Sequence, residues 1–148
     1  MRVRTGNWFE VKMRYGKVCE DGSVKKVTES YVIDAASFGD AEEQAMEYMS
    51  AYVSGDIQIV NISPMKFKEV VFSFQESCDR YYKTVLQYIT LDEKSGSEKK
   101  TQVQYLVESS SFDNCKDIIR TFMDGTMIDY QIASVSETKF IDVIEKEL

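Results

Sequence analysis

The sequence predicts an α+β fold of two tandem ββαββ copies that form antiparallel sheet with two packed helices, related by a pseudo-twofold axis. Three observations lead to this prediction. The segment 8–71 follows the same plan as the segment 81–144, at an offset of 73 or 74 positions. Polar and apolar side chains alternate where each copy begins, which is typical of half-buried strands. An apolar stripe with helical spacing lies near the middle of each copy.

The repeat is visible in matched strings of the two halves. WFEVKMRY at 8–15 aligns with YYKTVLQY at 81–88, and YVIDAASF aligns with YLVESSSF further along the chain. Such long-period similarity indicates one structural plan used more than once. Each copy has only about 70 residues, which is marginal for an independent core. We therefore predict a single domain over 1–148 that contains two repeats, at about 8–72 and 81–145.

Each copy begins with two predicted strands joined by a glycine-containing turn. In the first strand, 8–15, side chains at odd positions are mostly apolar and those at even positions mostly polar. The turns that follow contain Gly22 and Gly96, because glycine adopts the positive φ that tight hairpins need. The second strands are predicted from about 24 to 34 and from about 99 to 108.

A helix and two shorter strands complete each copy. Ser37 and Ser111 stand where a serine hydroxyl can accept a hydrogen bond from the first turn of the helix. The strand after each helix is apolar enough to be central, and the last strand of each copy is predicted to lie at an edge. The central strands are Asp56–Ile62 and Asp129–Val135, and the edge strands are Lys66–Phe72 and Lys139–Ile144.

Composition argues against several classes of function. The chain has no histidine, which excludes imidazole catalysis, Ser-His-Asp triads and most zinc sites. It has no glycine-rich phosphate loop, and its three cysteines lack metal-type spacing. A net charge of −7 disfavours general binding to duplex DNA or anionic membranes. We predict a protein without catalytic residues, metal or cofactor.

The sequence also bears on localisation. No stretch approaches the roughly 20 apolar residues that span a bilayer. The first segment, MRVRTGNWF, lacks the apolar run of a signal peptide. We therefore expect a cytoplasmic protein with no membrane partner.

Three strings resemble a family of unknown function that occurs in gut Bacteroidetes and in their phages or prophages. They are EDGSVKKVTESYVIDAASF, ITLDEKSGSEKKT and GTMIDYQIASVSET, which occur in this order. The resemblance extends from Trp8 to about Val143 and departs from the family pattern at Gly39. It implies a phage or mobile-element setting inside a bacterial cell. It implies no activity, so no catalytic residue is carried over.

One surface is a candidate binding face. Trp8 and Tyr81 fall on the polar side of the first strands, and lysines occupy the polar side of the second strands. Aromatic rings interleaved with basic side chains can stack bases and hold the phosphates of a single strand. We therefore predict a non-catalytic protein that binds single-stranded nucleic acid. The predicted binding residues are Trp8, Lys12, Arg14, Lys26, Tyr81, Lys83 and Lys100.

Other interpretations stay open. Trp8 and Tyr81 can instead be strand-start residues covered by the other half or by a twin subunit, and the lysines can serve only to blunt sheet edges. The alternative function is a protein-interaction or self-assembling module, with a host protein, a phage protein or a second copy as its partner. It is suggested by the acidic surface and by expected exposed apolar edges such as Phe72 and Phe74. A small-ligand pocket at the pseudo-twofold axis is a third option.

Carboxylates are the remaining groups that can support acid–base chemistry or hold a hard cation. Asp34 and Glu108 occupy equivalent positions between a strand and a helix. We interpret them as polar strand-end or capping residues rather than as a site.

Overall fold

The computed structural model describes residues 1–73 and 75–145, and it confirms the α+β class. The nine strands and two helices in this part of the chain are β1 (Arg2–Arg4), β2 (Trp8–Val18), β3 (Val24–Asp34), α1 (Phe38–Ser50), β4 (Ile57–Pro64), β5 (Phe67–Phe72), β6 (Arg80–Leu91), β7 (Glu98–Ser109), α2 (Phe112–Asp124), β8 (Tyr130–Glu137) and β9 (Phe140–Ile144). Apart from the short strand β1, which was not predicted, both halves follow the order ββαββ. That they arose by duplication stays a prediction.

The first sheet has four strands in the order β4-β2-β3-β9. β2 is antiparallel to β3 and β4, whereas β9 is parallel to β3. Helix α1 covers one face of this sheet. Its buried stripe of Ala41, Ala45 and Met49 belongs to one cluster with Val11 and Met13 of β2. Removal of this apolar surface from water is the main force that holds the helix on the sheet.

The second sheet has five strands in the order β1-β5-β7-β6-β8. β6 is antiparallel to β7 and β8, β1 is antiparallel to β5, and β5 is parallel to β7. Helix α2 covers one face through Cys115, Ile119 and Met123, which pack in one cluster with Leu86 and Tyr105. This layer therefore repeats the arrangement of sheet and helix in the first sheet.

The last strand of each half joins the sheet of the other half. β9 pairs with β3, and β5 pairs with β7. Contacts accordingly divide the chain into two compact units. One contains Met1–Thr5 and Phe67–Thr138, and the other contains Gly6–Lys66 and the segment that begins at Lys139. A single domain built from two repeats stays a prediction.

The strand order corrects several expectations. β4 and β8, which were predicted to be central, lie at sheet edges, and β5, which was predicted at an edge, lies between β1 and β7. β9 is an edge strand, as predicted. The two parallel pairs were not predicted, since only antiparallel sheet was expected. Apolar content reports whether a face of a strand is buried, and it says nothing about how many neighbouring strands there are or in which direction they run.

Local signals were interpreted correctly. The hydroxyl oxygens of Ser37 and Ser111 accept hydrogen bonds from the backbone N–H groups of Asp40 and Asn114, each at 3.1 Å. These bonds satisfy donors that the first helical turn leaves without a partner. Gly22 and Gly96 have φ values of 83° and 70°, so the hairpin turns use glycine as predicted.

Candidate functional site

Trp8 and Tyr81 are not available for base stacking, which corrects the predicted binding face. Trp8 is 1% exposed and Tyr81 is 5% exposed. Both lie on the sheet face that points away from the helix, as predicted, but other buried residues share those faces, including Val32 and Leu106. A buried ring has no free face for a base. Their burial agrees with the interpretation of these two residues as covered strand-start residues.

The basic residues of the predicted face lie farther along the strands. Lys12 and Arg14 share a sheet face with Trp8, and Lys26 of β3 stands opposite Gly16 on the same face. At about 3.3 Å per residue, Arg14 lies about 20 Å along the strand from Trp8. The Nε atom of Arg14 donates a hydrogen bond to the Thr28 hydroxyl at 3.2 Å.

These basic side chains are free to meet an anion. Lys12, Arg14 and Lys26 form no ion pair with another residue of the described chain. Arg14 and Lys26 line an open cleft of about 420 Å³ next to the loop 54–56. Lys83 and Lys100 lie on the five-stranded sheet, so the structure divides the predicted set between two sheets.

The alternative function, a protein-interaction module, was suggested in part by the expected exposure of Phe72 and Phe74. Phe72 is only 6% exposed, so this expectation is wrong. It packs beneath Arg2, whose guanidinium carbon lies 4.3 Å from the centre of the ring. Phe74 lies outside the described residues.

The two carboxylates at the ends of the second strands hold nearby backbone. Asp34 Oδ1 accepts a hydrogen bond from the Asn7 backbone N–H at 3.0 Å. Glu108 Oε1 accepts one from the Ser73 N–H at 3.2 Å, and its Oε2 accepts one from the Tyr81 hydroxyl at 3.4 Å. These bonds agree with the interpretation of Asp34 and Glu108 as strand-end residues.

A tyrosine–carboxylate cluster in the first sheet was not predicted. Glu29 accepts hydrogen bonds from the hydroxyls of Tyr15 and Tyr31. Burial, together with the neighbouring carboxylates, raises the pKa of Tyr15 and that of Tyr48 to about 12 and also raises the pKa of Tyr31. These phenols therefore stay protonated at neutral pH and act as hydrogen-bond donors. The cluster anchors the distal part of the β2–β3 hairpin.

A groove between helix α2 and the edge strand β8 was also missed. Its volume is about 540 Å³, and its floor is formed by β8. Phe112, which is 48% exposed, stands at one end of the wall that α2 provides. Lys116 and Arg120 follow at intervals of one helical turn along the same wall. The lining residues are Phe112, Lys116, Arg120, Tyr130, Gln131, Ile132, Ala133, Ser134 and Val135.

The free edge of β8 presents unpaired backbone groups beside this groove. Asp129 and Thr138 bond across to β6, through the Ile89 N–H and the Tyr81 carbonyl. Bonded and non-bonded positions alternate along an antiparallel pair, and a bulge shifts the register near residue 133. Tyr130, Ile132 and Val135 therefore direct their N–H and C=O groups away from β6. A further strand can pair with them there.

The two cations of the groove, Lys116 and Arg120, have few ionic partners among the described residues. The Nζ atom of Lys116 lies 5.1 Å above the centre of the Phe112 ring, and Lys116 forms no ion pair within residues 1–73 and 75–145. Arg120 has one contact of 3.7 Å with the exposed carboxylate of Asp117. None of the nine lining residues is acidic. The groove is therefore locally positive in a chain whose net charge is −7.

The described part of the chain contains neither a cluster of metal-binding side chains nor a helix that could span a membrane. No three side chains of the types His, Cys, Asp and Glu come together as a metal-binding group within the described ranges. Neither helix in those ranges is long and apolar enough to cross a bilayer.

The chain belongs to a family defined by a domain of unknown function, DUF4494, whose model matches residues 7–146. This match covers nearly the whole chain and agrees with the resemblance to an uncharacterised family. No curated protein and no solved structure matches the chain.

Proposed function

We propose that this protein is a non-catalytic interaction module that binds an extended segment of a partner protein along the free edge of β8. The proposal places it in the cytoplasm of a bacterial cell, in the phage or mobile-element setting that the resemblance implies. The observation that carries it is an open edge strand beside an exposed groove with apolar and basic walls. Sheet edges of this kind bind extended peptides by main-chain hydrogen bonds, and adjacent grooves select the side chains.

The edge of β8 contains no proline, which is one of the features that protect an exposed edge against the addition of a further strand. Proteins blunt exposed edges with proline, with charged residues or with bulges. β8 has a bulge near its middle, but three of its eight residues, 130–132, form a regular segment before it. Their outward N–H and C=O groups are the complement of an extended backbone.

Hydrogen exchange at β8 tests this proposal. The full chain is used to select binders from a displayed library of random peptides, and amide exchange is measured with and without the best binder. We expect slower exchange at Tyr130, Ile132 and Val135, whose amides face the incoming strand, and unchanged exchange along β4. Failure to select any peptide that protects β8 would contradict the proposed function.

The variant Glu137→Pro gives β8 the proline that stands at the end of β4, and it tests the proposed edge directly. Pro64 occupies the position in β4 that corresponds to Glu137 in β8, and it pairs with Phe9 where its missing N–H faces outward. Glu137→Pro is therefore compatible with the fold. We expect it to weaken peptide binding, because the outward donor is lost and the ring obstructs the approaching strand. Its cost to stability is small, since the ion pair with Arg80 is exposed.

A second candidate function is supported by the free basic side chains of the first sheet. Lys12, Arg14 and Lys26 can hold phosphates of single-stranded nucleic acid without stacking by Trp8 or Tyr81. The test is titration of a labelled single-stranded oligonucleotide at increasing salt. Salt-sensitive binding that weakens in Lys26→Ala is the expected result for this function. Absence of affinity at low salt would end the idea.

A further inference from the structure

We infer that the segment bound along β8 is acidic and places carboxylates at alternate positions against Lys116 and Arg120. This inference rests on the proposed function, because it names the chemical class of the partner for the same groove. It does not follow from the overall charge, since a net charge of −7 disfavours acidic partners in general.

The first support is the charge of the groove. Its lining contains two cations and no carboxylate. Lys116 is held over the Phe112 ring at 5.1 Å, so it lies against the groove wall. Among the described residues, Arg120 shares its charge with the exposed Asp117 alone, through a contact of 3.7 Å. A carboxylate of a bound strand would give Lys116 an ionic partner and compete with Asp117 for Arg120.

The second support is the match between helical and strand spacing. Lys116 and Arg120 are four residues apart, which gives a rise of about 6 Å along the axis of α2. Side chains at positions i and i+2 of an extended strand point to the same side and are about 6.6 Å apart. Two acidic residues with one residue between them therefore match the two cations. The apolar surfaces of Ile132 and Val135 favour an apolar residue next to this pair.

The third support comes from the equivalent region of the other half. The fourth and eighth residues after Phe112 are Lys116 and Arg120, and those after Phe38 are Glu42 and Met46. The two helices have the same length and the same serine cap, so the difference lies in the side chains alone. The basic pair is therefore specific to α2 rather than a general property of the repeat.

Three synthetic peptides test the inference against the full chain. They share one β-prone sequence and carry glutamate, glutamine or lysine at two alternate positions. We expect the glutamate peptide to bind about tenfold or more tightly than the glutamine peptide, and the lysine peptide to bind weakest. High salt should reduce the advantage of the glutamate peptide. Binding is measured by fluorescence anisotropy, and amide exchange at β8 is followed in the same samples.

The matched variant is Lys116→Glu with Arg120→Met, which gives α2 the residues of α1. Arg120 is exposed and Lys116 is only partly buried, so the thermal midpoint should stay near that of the original chain. We expect this variant to lose the preference for the glutamate peptide. The salt series on the unmodified chain gives the same information if the variant fails to fold.

The outcomes separate the inference from the proposed function. Equal binding of glutamate and glutamine peptides, with protection of β8, would overturn the acidic preference and leave the proposed function standing. Protection of β8 by none of the peptides would remove the support for both. Displacement of the glutamate peptide by a single-stranded oligonucleotide, or by dimerisation of the chain through β8, would also overturn the inference.

Discussion

The edge strands β4 and β8 have the same backbone plan and opposite surface chemistry. Each has eight residues, begins with half-buried residues on the helix side, and has a bulge in its pairing to the central strand. At the end of the strand, β4 has Pro64 where β8 has Glu137. In the adjacent helix, Glu42 corresponds to Lys116 and Met46 to Arg120. One edge is therefore blunted by proline and acidic beside it, and the other is open and basic.

Each helix begins with a phenylalanine, and the surroundings of this ring differ between the two halves. The ring of Phe38 packs edge-on against Phe9, with the centroids 5.1 Å apart. The ring of Phe112 instead carries Lys116 at its face. The positions that the halves share maintain the fold, and the positions where they differ distinguish the two edges. A function that belongs to one edge alone therefore depends on the residues that differ between the halves.

The largest effect on stability is expected from removal of the aromatic side chain of Trp8 or Tyr81, and the two losses show whether both sheets bury this residue equally. Trp8→Ala should reduce the free energy of unfolding by about 3–5 kcal/mol, because it empties a fully buried site. Tyr81→Ala should cost a comparable amount, since Tyr81 is almost as buried. Both changes are measured by urea unfolding. Arg14→Ala, which removes an exposed side chain from the same strand as Trp8, should stay within about 0.5 kcal/mol of the unmodified chain.

The conservative variants Trp8→Phe and Tyr81→Phe sharpen this comparison. The Trp8 Nε1 atom is buried and has no hydrogen-bond partner in the described part of the chain, whereas the Tyr81 hydroxyl donates to Glu108. Trp8→Phe should therefore cost much less than Trp8→Ala, because it gives up no hydrogen bond. A loss as large as that of Trp8→Ala would show that the indole N–H has a bonded partner.

The next largest effect is expected from a variant that makes the edge of β4, which proline blunts, resemble the open edge of β8. A triple variant with Glu42→Lys, Met46→Arg and Pro64→Glu gives the first half the residues of the second. We expect it to bind a second equivalent of the glutamate peptide, within about tenfold of the affinity of the first site. Isothermal titration gives the stoichiometry. Glu43→Lys is the control, because it changes charge on the exposed side of α1 without altering the edge. An unchanged stoichiometry in the triple variant would show that these three positions do not account for the difference.

The smallest effect concerns the hydroxyl networks of the two hairpins. In the first sheet Tyr15 and Tyr31 donate to Glu29, and in the second the hydroxyls of Tyr88 and Tyr105 bond to each other. The pKa of Tyr15 is raised from 10.0 to about 12. A raised folded-state pKa contributes stability that is fully present below about pH 10 and is lost as the pH rises through about 12. The effect is small because Tyr15 is partly exposed and solvent screens its charge.

Glu29→Val places the residue of the second half, Val103, at the equivalent position of the first. The variant removes the carboxylate that disfavours the phenolate of Tyr15, so its stability should fall less steeply between pH 10 and pH 12 than that of the unmodified chain. Urea unfolding across this pH range measures the slope. An identical slope would show that burial alone raises the pKa of Tyr15.

Much of the fold could be predicted because its signals are local. Alternation identified the helix-facing side of β2, Ser37 and Ser111 marked the helix starts, and Gly22 and Gly96 marked the turns. The basic side chains were also assigned to the correct sheet face. The burial of Trp8 was one of two interpretations that the sequence left open, because an aromatic residue among polar ones on a strand is compatible with an open face and with a covered one.

The groove beside β8 was missed for a related reason. No prediction was made for Lys116 and Arg120, because their position beside an edge strand was unknown while β8 was predicted to be central. One signal was available in the sequence. The first half has Glu42 and Met46 where the second has Lys116 and Arg120, although the two halves are otherwise similar.

The sequence by itself determined the α+β class, the order of elements apart from β1, the helix caps and the helix-facing side of the first two predicted strands of each half, because each depends on residues a few positions apart. The tertiary structure decided which strands pair and which lie at edges. It placed β5 and β9 in the sheets of the opposite halves and covered Trp8 and Tyr81. It also left β8 open beside the two basic residues of α2, Lys116 and Arg120. These features depend on contacts between residues far apart in the chain, and alternation within a strand carries no information about its neighbours.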